Sequence, residues 1–95
     1  MGIFKKYFNK DANEVLAKQE ALIEKKVARG FESTIDQLEI QKMETETKLE
    51  VCRFNVANGN VSQIITIGET LLELAEITSM IEILRIEQKA FFAKE

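Results

Sequence analysis

Apolar residues recur along this chain in steps of three and four, the spacing that gathers side chains on one face of an α-helix. The marks run through Leu16, Ile23, Val27, Phe31, Ile35, Leu38, Leu49, Cys52 and Val56, with Glu20, Lys42 and Thr45 filling the remaining positions of the stripe. Successive steps of four around Val27, Phe31 and Ile35 form a local stutter, which relaxes left-handed supercoiling near Gly30. The pattern predicts a long first helix over about 11–57. Asp11 followed by Glu14 reads as a variant capping box at its start, the Asp11 carboxylate accepting a backbone N–H and Glu14 reaching back. Gly30 costs an unbroken helix about 1 kcal/mol relative to alanine. The stripe keeps its phase across that glycine, which favours continuity or a kink over a clean break.

A second helix is predicted over about 61–92. On a helical wheel Ile64, Ile65, Ile67, Leu71, Leu72, Leu74, Ala75, Ile81, Ile83 and Ile86 cover about half its circumference, while Thr66, Glu69, Glu73, Glu76 and Glu87 collect opposite. Between the two helices stands Ala57-Asn58-Gly59-Asn60. Asn-Gly is also a strong β-hairpin signal, and the flanks are rich enough in β-branched residues to make strands a rival. The helical reading prevails because three-four spacing, and not strict alternation, runs up to both sides of the turn. Gly59 then closes one helix in the left-handed conformation, and Asn60 with Gln63 caps the next.

The expected fold is therefore all-α: an antiparallel helical hairpin with its turn at 58–60, preceded by a short amphipathic N-terminal helix over 1–10, in a single domain. In that opening run Ile3, Phe4, Tyr7 and Phe8 share one side and Lys5, Lys6 and Lys10 lie mostly elsewhere. Such a segment suits either a clamp on a neighbouring helix or subunit, or an interfacial foot on a membrane. Position 6 is Lys6, so Gly2 does not open a myristoylation signal.

The hairpin leaves apolar surface over. At about 1.5 Å per residue, a final helix of some 30 residues reaches back only to about residue 26, beyond which Val15, Leu16, Leu22 and Ile23 need other cover. The first helix also carries a weaker apolar line, Ile40, Met43, Val51 and Phe54, opposite its main stripe. Burying one aliphatic side chain contributes on the order of 1.5 to 3 kcal/mol, so several left exposed forfeit much of a small domain's stability. Self-association or a protein partner is the simplest remedy. The residues expected to make that contact are Ile3, Phe4, Tyr7, Phe8, Ile40, Met43, Val51, Phe54, Ile65, Leu72, Ile83 and Ile86. Lys42 and Glu82 break the apolar stripes, where a polar residue often fixes register or oligomer state at some cost in stability. Gly68, on the apolar side of the second helix, suits a close helix crossing.

Charge adds a gradient to this picture. Residues 1–30 hold seven Lys or Arg against four acids, residues 31–60 three against six, and residues 61–95 three against six. The gradient fits solvated helix faces, head-to-tail pairing between copies, or attraction of the N-terminal part to an anionic surface. The net charge of −3 gives no strong nucleic-acid signal. Proline is absent, and no apolar run is free enough of Glu to span a bilayer. Cys52 is the lone cysteine and no secretory h-region precedes a small-residue cleavage site, so a reducing, cytoplasmic setting is expected.

Chemistry is poorly provided for, and no enzyme is expected. There is no histidine, which removes the commonest general base and metal ligand, and one cysteine cannot complete a zinc site. Glu69, Glu73 and Glu76 share a helical face, as do Glu46 and Glu50, but such rows are ordinarily solvated surface. Cys52 lies on the apolar stripe and reads as a small core residue. No Gly-rich phosphate loop is present. Lys25, Lys26 and Arg29 form a candidate anion-binding cluster only if several copies converge, so no cofactor is expected. In length the chain resembles the small secreted WXG-type hairpins, but the turn reads Asn58-Gly59-Asn60 and there is no tryptophan, so that family is not assigned. Its Lys-, Glu- and Ile-rich composition is similar to that of many phage-encoded helical factors. The leading expectation is a non-enzymatic helical interaction or assembly protein, with structural, scaffolding or inhibitory roles all open. A peripheral membrane adaptor and an oligomeric protein that sequesters a phosphate-containing ligand are the alternatives.

Overall fold

A computed structural model describes residues 2–93, and side chains from residue 14 to residue 93. Its elements are a long helix α1, Gly2–Ala57, a 3-10 turn, Val61–Gln63, and a second helix α2, Ile64–Phe92. The described residues contain no strand. The Asn-Gly corner therefore joins helices, as the three-four spacing on either side requires.

Two boundaries differ from expectation. No separate N-terminal helix is seen, because residues 2–10 belong to α1, and α1 therefore does not begin at the Asp11–Glu14 box. With no proline in the chain and no glycine between residues 3 and 29, nothing before Gly30 interrupts the ladder of backbone hydrogen bonds. Gly30 itself is helical.

The turn supplies the partners that the end of α1 lacks. The Asn60 N–H donates to the Asn55 carbonyl at 3.0 Å and the Gly59 N–H to the Val56 carbonyl at 2.9 Å. These are the six-to-one and five-to-two bonds of a Schellman motif, which needs a left-handed residue just past the helix, and Gly59 has φ +100°. The Asn58 side-chain amide adds a bond to the Phe54 carbonyl at 3.0 Å. The expected Asn60–Gln63 cap does not form: Asn60 makes no side-chain capping bond. Its Oδ1 accepts from the Ser62 hydroxyl at 2.5 Å, and Gln63 Oε1 instead accepts from the Asn55 amide at 2.9 Å, tying α1 to the turn. Helix α2 begins on the 3-10 turn, whose backbone bonds occupy the donors a cap would have served. Gly30 and Gly59 should accordingly respond to alanine with opposite signs in thermal melts. A Cβ at Gly30 meets open space in a helix and should gain up to about 1 kcal/mol. At Gly59 the positive φ should make the same change cost more than about 1 kcal/mol.

By contact density the chain divides into two units, Met1–Gly30 and Phe31–Glu95. Within the second, Ile35 and Leu38 of α1 cluster with Ile77 and Ile81 of α2, and Leu84 packs against them. Phe31 meets Phe91 and Phe92, with ring centroids 6.1 and 6.4 Å apart. Asn55 meets Gln63 at the turn, and Arg85 pairs with Glu39. Low numbers on α1 thus meet high numbers on α2, and the two run antiparallel along a seam. On α1 the seam is Phe31, Ile35, Leu38, Lys42, Thr45, Leu49, Cys52 and Val56, all buried or half-buried, as the stripe predicts. On α2 it is Ile67, Thr70, Leu74, Ile77, Ile81, Leu84 and Gln88. That face is rotated from the one expected. Ile77 and Thr70 are buried although neither stood in the predicted stripe, Thr66 is half-buried, and Ile64, Ile65, Leu71, Leu72, Ala75, Ile83 and Ile86 are exposed.

Candidate interaction surface

The seam uses one side of each helix and leaves the opposite side bare. On α2, residues nine positions from a seam residue lie about two and a half turns away, and therefore on the far side. Those positions include Ile65, Gly68, Leu72, Ala75, Ser79, Ile83, Ile86 and Ala90, every one exposed and uncharged, with Glu76, nine residues from Ile67, exposed at the strip's edge. Leu72 is 64% and Ile86 66% exposed, values ordinary for a surface lysine and costly for an aliphatic group in water. Glu69, Glu73, Glu76 and Glu87 border this strip along one flank. None of the four takes part in an ion pair among the described residues.

Helix α1 repeats the arrangement. Ile40, Met43, Val51 and Phe54 stand nine positions from Leu49, Cys52, Lys42 and Thr45, and all are exposed, Phe54 at 69%. The eight interaction residues expected in the second unit therefore all reach the surface, in two lines on the outward sides of two packed helices. The structure does not bring the two lines together. The remaining four, Ile3, Phe4, Tyr7 and Phe8, lie outside the residues whose side chains are described.

Lys42 and Glu82 meet at one groove. It has a volume of about 360 Å³ and is lined by Glu39, Lys42, Met43, Glu46, Thr78, Ile81, Glu82 and Arg85. Lys42 sits half-buried in the seam, whereas Glu82 is exposed at the groove's edge. The Glu39–Arg85 pair spans the two helices here, both side chains roughly half exposed, so screening holds its contribution to about 1 kcal/mol or less. Cys52 is buried in the seam, as its place in the stripe implies.

In the first unit Val15, Lys18, Leu22, Lys25 and Arg29 follow one another in steps of three and four. They form a mixed apolar and basic stripe, every member of it exposed, with Lys26 beside it. Glu20 and Glu24 stand nine positions from Arg29 and Val15, on the other side of the helix. Lys25, Lys26 and Arg29 thus belong to a longer basic face that includes Lys18. No three carboxylate or thiol groups among the described residues converge as metal ligands. No helix among them is long and apolar enough to cross a membrane. Compared with protein-family models, with curated proteins and with solved structures, the chain matches none.

Sequence reasoning missed two features. The Phe31–Phe91–Phe92 cluster closes the seam at the end away from the turn, and its signal was the Phe pair three and four residues after Gln88. The buried Thr70 was hidden by being polar in a helix whose predicted stripe is made of ten apolar residues.

Proposed function

We propose that this chain is a non-enzymatic assembly protein: a helical hairpin, paired internally as a short two-stranded coiled coil, that associates with itself or with a protein partner through its outward helix faces. The observation that carries this reading is the uncharged outer strip of α2, where Ile65, Leu72, Ile83 and Ile86 are all more than half exposed. Isolated surface aliphatics need no explanation, but a line of them at helical spacing, bordered by Glu on one flank, has the form of an interface core and rim. Lys42, half-buried where the seam wants an apolar residue, serves in this reading to fix the register of the pair, with Glu82 at the same groove. A cytoplasmic setting accords with the single buried thiol.

Sedimentation equilibrium of the full chain at micromolar concentrations tests the proposal. The expected mass is a multiple of 10.9 kDa, falling towards one chain when Leu72 is changed to Glu while the circular dichroism spectrum is unchanged. A wild-type chain that stays at 10.9 kDa up to about 100 μM would remove self-association from the proposal.

A further inference from the structure

The outer strip of α2 and the basic stripe of the first unit are complementary in more than charge sign. We infer that the stripe Val15–Arg29 of one copy docks on the outer strip of α2 of a second copy. This rests on the assembly reading above and names the partner surface. Between residues 65 and 90 the strip offers apolar side chains and the small residues Gly68, Ala75 and Ser79, so a helix can approach closely. A Cβ at Gly68 meets nothing within 4 Å in the single chain, which leaves that space for a neighbour. Val15 and Leu22 supply apolar anchors, and the stems of Lys18, Lys25 and Arg29 lie along apolar surface while their charged ends reach outward. Acids wait there at a matching interval: Lys18 and Lys25 are seven residues apart, as are Glu69 and Glu76.

The competing self-contact is less favourable. Two α2 strips packed antiparallel about a two-fold axis set the same flank against itself, bringing Glu69 towards the second copy's Glu87 and stacking like charges. A basic stripe on an acidic-flanked strip avoids that repulsion. Because each copy carries both surfaces, two copies either exchange stripes about a two-fold axis or link head to tail into a ring or a chain that grows with concentration.

The test uses full-length chains with reversed charge. Lys18→Glu, Lys25→Glu and Arg29→Glu together should lower the association constant by at least about tenfold at low salt, as should Glu69→Lys, Glu73→Lys and Glu76→Lys together. Mixing the two triple variants should restore association, and so should uniting all six changes in one chain, with helicity constant throughout. High salt should weaken the wild-type assembly and blunt the difference between variants. A wild type that assembles but ignores both reversals, or reversals that are not rescued by mixing, overturns this interface and leaves the assembly reading standing. A monomeric wild type overturns this interface and removes self-association from the assembly reading, leaving a protein partner for the outward faces. A monomer whose melting temperature follows the same charge swaps places the contact within one chain and likewise overturns the proposal.

Discussion

Changing Ile81 to alanine should destabilise the chain by about 2–4 kcal/mol, the cost of deleting most of a buried aliphatic side chain and leaving a void. Ile81 is 6% exposed and lies in a cluster to which both helices contribute buried aliphatic residues, with Ile35, Leu38 and Ile77. The seam is narrow. Several of its positions are Thr, Lys or Gln, so little apolar surface compensates for a loss, and a domain of this size holds only about 5–10 kcal/mol in total. The matched change Ile83→Ala, two residues away on the bare side, should cost within about 0.5 kcal/mol in dilute solution. Urea unfolding followed at 222 nm reads both. The contrast also bears on assembly: if the outer strip is covered by a second copy, the cost at Ile83 grows with protein concentration while that at Ile81 does not. Equal costs at the two positions in dilute solution would mean that the seam has been assigned to the wrong side of α2.

That last possibility is the place where the sequence was hardest to read. On α1 the buried face was legible, because Ile35, Leu38, Leu49 and Cys52 carry the three-four steps and the residues between them are mainly charged or polar. The polar members of the stripe, Lys42 and Thr45, could be placed by phase alone. On α2 the same procedure failed. Isoleucine and leucine occupy both the seam and the opposite side, so the centre of the apolar arc points between the two, away from Ile77 and towards Leu72. A wheel finds where apolar residues are, and burial depends on where the partner helix is. The two coincide only when there is one apolar face. A second face, which blurs the wheel, is itself the feature on which the proposed assembly role rests.

The turn shows the reverse case. Asn58-Gly59 specified a left-handed helix end, since a positive φ there is a local steric requirement that glycine meets without neighbours. The cap assigned to Asn60 and Gln63 was not local in that sense. Asn55, five residues before Asn60, competes for the Gln63 side chain, and the 3-10 turn takes up the backbone donors. At the other end of α1, a capping box at Asp11 and Glu14 had no force because a helix already ran through it. Capping residues stabilise an end where the chain stops being helical, and nothing from residue 2 onward makes it stop.

Thr70→Val should stabilise the protein, with an expected gain of about 1 kcal/mol or more and a melting temperature higher by several degrees. Thr70 is 1% exposed, the most deeply buried side chain described, and its hydroxyl has no hydrogen-bond partner. A threonine within a helix usually bonds the carbonyl four residues back, and three others here do so: Thr45 to Gln41 at 2.8 Å, Thr47 to Met43 at 3.0 Å and Thr78 to Leu74 at 2.8 Å. At Thr70 the hydroxyl has given up water without receiving that bond, a loss of about 1–3 kcal/mol that valine removes while keeping the branched shape. Thr45→Val is the control. It is buried in the same seam but already bonded, so removing its hydroxyl discards a made interaction along with the polar group and should change stability by within about 0.5 kcal/mol. Thermal melts of the two valine variants separate burial of an orphaned hydroxyl from burial of threonine as such. If both rise equally, the gain comes from added apolar surface in a thin seam. If Thr70→Val melts lower than the wild type, the hydroxyl has a partner in solution, and the seam at its best-buried point is wetter or more tightly bonded than the packing of α1 and α2 implies.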